Sequence, residues 1–318
     1  MDPLSDVLSL LKPRTYMCGG FDLGGQWSIA FSQYEGIKCY ALVSGRCWLS
    51  VDGVPDPVLL EAGDCFLLPS GRPFRLASDL ALTPVDAYSV FQLPLNGAIG
   101  SLNGGGDCSC VGGLFTLTGK HASVLLGVLP PIVHIRKESD RAALRWCLER
   151  MMQVLREPEP GSFIIAQQLA YMMLIQALRL HLAEGLSAGI GWLFALADKQ
   201  MSAAIHAMHE DPAHGWTLQE LARRAGMSRS TFALRFKETV GTAPMEYLTR
   251  WRMLRAGDRL ANSRDPISVI ALSLGYESES AFSTAFKRVM GCSPRQYGRG
   301  HSPPSPANGE SEAVEAIA

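Results

Sequence analysis

The spacing of apolar positions changes character along the chain. From about Trp27 to Leu117 the apolar residues fall in short or alternating runs (WSIAFS, KCYALV, RCWLSV, CFLLP, FRLAS, AYSVFQL, LFTL) separated by Gly, Pro, Asn and Asp. Many short strands with regular turn signals predict a β-sandwich or barrel. After Pro130-Pro131 the period becomes helical. RAALRWCLERMMQVLRE reads as one amphipathic helix, ended by PEPG at 158–161, and Ser162 caps a second helix running to about Glu184. GWLFALA at 191–197 and KQMSAAIHAMHED at 199–211 follow, the latter expected to open a C-terminal domain. Beyond Arg299 the sequence HSPPSPANGESEAVEAIA is polar, Pro-rich and acidic, so 300–318 is expected to be a disordered tail.

The helical region uses a single unit twice. Phe232, Phe236, Lys237, Gly241, Pro244 and Tyr247 recur fifty residues later as Phe282, Phe286, Lys287, Gly291, Pro294 and Tyr297. Each copy reads as helix, glycine turn, second helix, the helix-turn-helix arrangement that places a helix in a DNA major groove. In the first copy Thr217 caps a helix whose Leu218, Leu221, Ala222 and Ala225 face inward; Gly226 turns the chain and Ser228 caps the second helix. Ser268, Gly275 and Ser278 are expected to take the corresponding roles in the second copy.

With Phe232 and Phe236 buried, the first recognition helix presents Arg229, Ser230, Ala233, Leu234 and Lys237. With Phe282 and Phe286 buried, the second presents Glu279, Ser280, Ser283, Thr284, Lys287 and Arg288. Small and hydroxyl side chains approach base edges and thymine methyls, while Arg and Lys reach guanines or phosphates. Glu279 has two readings, an acceptor for cytosine or a favourable charge at a helix N-terminus. Arg229, Arg235, Lys237, Lys287 and Arg288 are the candidates for phosphate positioning. Between the copies PMEYLTRWRMLRAGDRLANS fits one helix of roughly 18 residues, about 27 Å long at 1.5 Å per residue. With its flanking turns this approaches the ~34 Å between successive major-groove faces on one side of DNA.

Charge agrees with that reading. Residues 216–300 hold fourteen Lys/Arg and seven Asp/Glu, so this segment carries +7 and the remainder −8 within a total of −1. A basic segment on a near-neutral chain suits a phosphate-contacting module joined to a separate regulatory one. The N-terminus MDPLSDVLSLLKPR lacks the pattern of a signal peptide, so a reducing cytoplasm is expected and the eight cysteines are not read as a disulfide framework. FIIAQQLAYMMLIQALRLHLA at 163–183 carries Gln167, Gln168, Gln176, Arg179 and His181 and reads as a packed helix rather than a membrane span. Cys39, Cys47 and Cys65 lie in apolar runs and read as small buried hydrophobes. Cys18, Cys108 and Cys110 lie in loop-like contexts, where exposed thiols would be open to oxidation and a redox switch. NGGGD at 103–107 reads as a flexible loop rather than a phosphate cradle, because no helix pattern or Lys-Ser/Thr follows it.

The motifs GMSRSTFALRFKETVGTAPMEYLTRWRM and ISVIALSLGYESESAFSTAFKRVMGCSPRQY resemble the DNA-binding domain of the AraC/XylS family of transcriptional regulators, over about 199–299. The resemblance implies that two helix-turn-helix units on one long helix bind adjacent major grooves of promoter DNA. It places Ser230, Ala233 and Leu234 on base-facing positions of the first unit, and Glu279, Ser280, Ser283 and Thr284 on those of the second. Leu234 departs from the longer polar residue often found there.

The stretch GRCWLSVDGVPDPVLLEAGDCFLLPSGRPFRLASD resembles the cupin-type sensor of one AraC subgroup. A metal cupin places His-x-His and Glu in its first motif and a further His in its second. Here Phe74 stands where the second motif's His would be, FSQYEGIKCY contains no His, and only His121 and His134 lie in or near the barrel. No cofactor and no metal site are therefore expected. Trp27, Tyr40, Trp48 and Phe74 are either ligand-lining or simply core.

The reading that results is an α+β chain: a cupin-like β-barrel sensor (1–134), a helical connector suited to dimerisation (135–197), an all-α domain with two helix-turn-helix units joined by a long helix (198–299), and the tail. Its expected function is non-enzymatic control of transcription. Its expected partners are double-stranded promoter DNA, RNA polymerase, a second copy of the chain, and a small effector or oxidant at the sensor, with no membrane. The rivals are a metal-dependent cupin enzyme tethered to nucleic acid and an architectural DNA-binding protein.

Overall fold

The computed structural model describes residues 2–11, 14–91, 98–116, 129–136, 142–184 and 191–300. Of the expected disordered tail (300–318), Gly300 is the end of a helix and 301–318 lie outside the described residues, as does His121. The chain divides into two compact units, Val7–Ala197 and Asp198–Ala318, the second including Met1–Asp6. It is a mixed α+β protein, sheet-rich in the first unit and helical in the second.

The first unit holds two sheets. Strands β1 (Arg14–Leu23), β3 (Ile37–Ser44), β6 (Cys65–Leu68), β9 (Ala98–Leu102), β10 (Cys108–Thr116) and β11 (Val133–Ile135) form one in the order β11-β6-β3-β10-β1-β9. Strands β2 (Ser28–Phe31), β4 (Arg46–Val51), β5 (Val58–Glu61), β7 (Phe74–Ala77) and β8 (Val85–Asp86) form the other, β5-β4-β7-β2-β8. All pairings are antiparallel except β1 with β9 and β2 with β8. Phe21, Leu42, Phe66 and Leu68 of the first sheet meet Ile29, Leu49, Leu60 and Leu76 of the second in one buried core. No ladder joins the two sheets among the described residues, so the expected barrel is an open sandwich.

The two sheets differ in what covers their outer faces. Strand β4 alternates, with Cys47, Leu49 and Val51 buried and Arg46 exposed. Trp48 and Ser50 share the outward parity, so Trp48 lies outside the core that holds Trp27 and Phe74. Strands β6 and β10 are buried at almost every position, because helices α3 (Ala142–Arg156) and α4 (Ser162–Glu184) pack on the six-stranded sheet. A strand covered on both faces has no polar side to alternate with. Helix α4 is long and apolar enough to cross a bilayer over Ser162–Leu182, yet its Ala166, Ala170, Met173, Leu174 and Ala177 are buried against protein. The run AYSVFQL, expected to be a strand, instead starts a short helix, α2 (Ala87–Val90), because the Asp86 carboxylate accepts from the Tyr88 amide at 2.8 Å and caps it.

The second unit contains α6 (Lys199–Glu210), α7 (Leu218–Arg224), α8 (Arg229–Val240), α9 (Pro244–Asn262), α10 (Ile267–Leu272), α11 (Glu279–Met290) and α12 (Pro294–Gly300), while α5 (Trp192–Ala195) closes the first unit. Helix α9 is 19 residues long, about 28 Å of rise, and carries Tyr247, Trp251, Met253 and Ala256 into the cores beneath the two recognition helices.

Candidate nucleic-acid interface

Local chemistry sets the ends of both recognition helices. Ser228 Oγ accepts from the Thr231 amide at 3.2 Å and Ser278 Oγ from the Ala281 amide at 3.1 Å, so each hydroxyl satisfies a first-turn donor. Gly241 at φ 81° and Gly291 at φ 75° end α8 and α11 in the left-handed region, and Pro244 and Pro294 start the next helices. Inside, Phe232 and Phe236 (ring centroids 5.5 Å apart) and Phe282 and Phe286 (5.6 Å) are fully buried. Burying that stripe turns the opposite side of each helix outward.

On α8, Arg229, Ser230, Leu234 and Lys237 are exposed and Ala233 is half-buried. Leu234 is 62 % exposed, a large apolar side chain presented to solvent on the outward face. On α11, Glu279, Ser280, Thr284, Lys287 and Arg288 are exposed and Ser283 is half-buried. The Thr284 hydroxyl donates to the Ser280 carbonyl at 3.0 Å, which leaves its methyl and an acceptor lone pair facing outward. Arg235 does not share this freedom: it pairs with Asp198 at 2.5 Å and donates to Gln200 Oε1 at 2.9 Å. Its guanidinium is engaged with the cap of α6.

The two turns are alike but not equal. Gly226 (φ 65°) and Gly275 (φ 78°) occupy left-handed positions, and the amides of Met227 and Tyr276 close on the carbonyls of Ala222 and Ala271 at 2.9 and 3.1 Å. A side chain at Gly275 would also meet the Ala213 carbonyl oxygen at 2.4 Å. From the glycine to the capping serine there are two steps in the first copy and three in the second, so the repeat offset of 49 at the turns becomes 50 at the recognition helices. The helices before the turns start differently. Thr217 forms a full capping box with Glu220, whereas α10 has Pro266 at its N-cap and no side-chain cap. Ser268, expected as the cap, lies within the helix, because proline's fixed φ of −57° sets the entry two residues earlier.

The cysteines expected in loops are buried in strands. Cys18 is 0 %, Cys108 4 % and Cys110 2 % exposed, since β1 and β10 are central strands and Gly19-Gly20 and NGGGD are not the ends of structure that they resemble in sequence. The glycine run is a held turn: the Asp22 carboxylate accepts from the Gly106 amide at 2.9 Å and Asp107 from the Gly25 amide at 2.7 Å. A hydrogen bond with Cys47 lowers the Cys108 thiol pKa against burial, while the same bond and burial raise that of Cys47. Burial raises Cys110. Among the described residues no group of three or more His, Cys, Asp or Glu is arranged to hold a metal ion.

A family model described as Cupin matches residues 2–183, and one described as Helix-turn-helix domain matches residues 221–300. The chain is 44 % identical over 298 residues to a Streptomyces antibioticus protein named as an AraC-like transcription regulator, covering 93 % of this chain and 98 % of that one. It is 30 % identical over 285 residues to the HTH-type transcriptional regulator AlkR of Acinetobacter baylyi, covering 86 % of this chain and 91 % of the relative. The chain belongs to the AraC-like transcription regulators. Among solved structures it is similar to the DNA-binding domain of AdpA in complex with a target DNA, with 31 % identity, a TM-score of 0.31, and coverage of 33 % of this chain and 93 % of that one.

Three polar features of this AraC-like regulator escaped the sequence reading. Arg252 of α9 donates to the carbonyls of Pro212 and His214 at 2.6 and 2.9 Å and lies over the Tyr276 ring, tying the α6–α7 connection to the second copy. His209 is buried, stacks on Trp251 at 3.7 Å and contacts the Tyr247 hydroxyl through Nε2 at 2.8 Å. Lys38, in the sandwich, is 8 % exposed. A single His or Lys gives no sequence signal of burial, because part of each setting comes from a distant segment, Phe74 for Lys38 and Tyr247 and Trp251 for His209.

Proposed function

We propose that this AraC-like regulator reads two neighbouring major-groove segments of promoter DNA with α8 and α11, and that a small effector or oxidant at the N-terminal unit controls its occupancy. The observation that carries the reading is the pair of capped, exposed helix faces on one 19-residue helix. Ser230, Ala233 and Leu234 face bases in the first segment, and Glu279, Ser280, Ser283 and Thr284 in the second. Leu234 supplies an apolar contact suited to a thymine methyl, and the Thr284 methyl another. Arg229, Lys237, Lys287 and Arg288 position the phosphates; Arg235, paired with Asp198, supports the unit rather than the DNA. The exposed Trp146, Ile164, Ile165 and Met172 of α3 and α4 are the surface on which a second copy would dock. The oxidant arm rests on Cys108, whose thiol pKa is lowered chiefly by the Cys47 side chain. RNA polymerase is the expected protein partner at the promoter, and no sequence feature assigns the chain a catalytic role.

Genome-wide binding of the full chain, mapped with and without hydrogen peroxide, supplies the operator and tests the oxidant arm. On that operator, Lys287→Ala with Arg288→Ala weakens binding to all sequences and flattens the dependence of log K on log salt by about one to two. Unchanged salt dependence removes both residues from the phosphate set.

A further inference from the structure

Helix α9 is not alone in linking the two reading heads. Helix α6 and the connection that follows it touch the turn of each copy. Near the start of α6, Gln200 Nε2 donates at 3.0 Å to the carbonyl of Ala225, the residue before Gly226, and Gln200 Oε1 accepts from Arg235 of α8 at 2.9 Å. Beyond its end, the Ala213 carbonyl lies so close to Gly275 that no Cβ fits there. Arg252 of α9 closes this end. Its Nε donates to the Pro212 carbonyl at 2.6 Å and its Nη2 to that of His214 at 2.9 Å, while the guanidinium carbon lies 5.7 Å from the centroid of the Tyr276 ring.

Every part of this second path is held. Asp198 caps α6 by accepting from the Gln200 and Met201 amides at 2.9 and 3.2 Å, and Met201, Ala204, Ile205 and Met208 are fully buried. Twelve residues give α6 about 18 Å of rise. In the connection, the His214 amide donates to the Asp211 carboxylate at 3.1 Å and Trp216 Nε1 to the Asp211 carbonyl at 2.8 Å. A single helix sets how far apart two heads stand along its axis, but local packing alone resists the turning of each head about it. A second path between the same two turns removes that freedom. The guanidinium is the part that ties most: its planar fork reaches two carbonyls and a ring face together, which an ammonium or an amide does less well.

We infer that α6 is a second strut beside α9 and that Arg252 is the positioning residue that locks it, so that the protein selects its operator by the spacing between the two major-groove segments as well as by their bases. The inference rests on the proposed two-segment reading and deepens it. Heads fixed in advance lose little freedom on binding the matching spacing, and they meet any other spacing at the cost of distorting protein or DNA. One inserted base pair moves the second segment by about 3.4 Å and turns it by about 35°.

The probe is a fluorescent duplex that the full chain selects from a random-sequence pool, together with derivatives carrying one base pair more or one fewer between the two segments. Wild type is expected to bind the selected spacing about tenfold or more tightly than either derivative. Arg252→Gln is expected to bind the selected spacing more weakly and to prefer it over the derivatives by less than about threefold. A merely structural Arg252 would weaken all three duplexes by the same factor, and an unchanged ratio therefore overturns the inference. Gln200→Met cuts the other end of the strut and is expected to lower the ratio too; it decides the matter if Arg252→Gln does not fold. Wild type that binds all three spacings alike also overturns the strut, and base substitutions within each segment then judge the reading beneath it. If substitutions in both segments weaken binding, the two-segment reading stands without the strut. If those in only one segment do, or if no sequence is selected from the pool, both fall.

Discussion

In the first copy the Phe236 ring meets Tyr247 edge-on at 5.8 Å, and in the second Phe286 meets Tyr297 edge-on at 5.5 Å. Beyond the rings the copies differ. The Tyr247 hydroxyl ends on a buried histidine, while the Tyr297 ring and hydroxyl pack over Gly257 of α9, within 3.2–3.3 Å of where a Cβ there would stand. The first copy has a capping box on its leading helix and a two-step turn; the second has a proline start and a three-step turn. One exposes Leu234 and the other Glu279. What is repeated is the buried frame that aims a helix; the contacts outside that frame are free to diverge, and they decide what each copy reads and under which conditions it holds.

The frame carries the largest expected effect. Phe236→Ala and Phe286→Ala each remove a fully buried ring and are expected to cost about 3–5 kcal/mol, read from urea unfolding. Equivalent frames give losses within about 1 kcal/mol of each other, inside the spread expected for one kind of truncation. A larger gap would show that one copy is held chiefly by something other than its aromatic pair.

Acid separates the copies next. Burial first, then the charges of Arg255 and His206, hold the His209 pKa down to about 3, although Asp6 Oδ2 lies 3.6 Å from its Nδ1. The folded value lies below the unfolded 6.5, so the unfolded chain binds the extra proton first. Stability from neutral His209 is complete above about pH 6.5 and is lost as pH falls toward 3. At pH 5 the loss is about 2 kcal/mol. Unfolding at pH 7 and pH 5 is expected to show this extra slope in wild type and not in His209→Gln, with hydrogen exchange placing it at Tyr247 and not at Tyr297. Equal acid sensitivity at both tyrosines would erase this difference between the copies.

These contrasts also mark how far the chain could be read unaided. Phe, Gly, Pro and Tyr at fixed offsets specify a buried pair, a left-handed stop, a helix start and a lid over the core, all within about twenty residues, so both recognition helices and the long α9 were legible. So were β3, β4, β6 and β7, whose apolar runs end at turn residues. Strand β1 was hidden by Gly19-Gly20, and the burial of Cys18, Cys108 and Cys110 by a sheet covered on both faces, where alternation disappears. Lys38 and His209 were missed for a different reason. Their settings draw on segments far along the chain, Phe74 for one and Tyr247, Trp251 and the N-terminal Asp6 for the other, and no local spacing encodes such a meeting.

The smallest effect tests the sharpest local difference. Thr217 Oγ1 accepts from the Glu220 amide at 3.2 Å while Glu220 Oε2 accepts from the Thr217 amide at 2.9 Å, so two first-turn donors of α7 depend on one pair of side chains. Thr217→Ala is expected to cost about 1 kcal/mol. In the second copy the equivalent helix enters through Pro266, whose φ already suits a helix start and whose ring carries no hydroxyl to lose. Ser268 is exposed in the first turn of α10, so Ser268→Ala is expected to change stability by less than about 0.5 kcal/mol. A loss of about 1 kcal/mol at Ser268 would restore it as a cap, and with it the idea that the copies start their leading helices in the same way. A loss at Thr217 alone confirms that the same turn is reached by side-chain hydrogen bonding in one copy and by backbone restriction in the other.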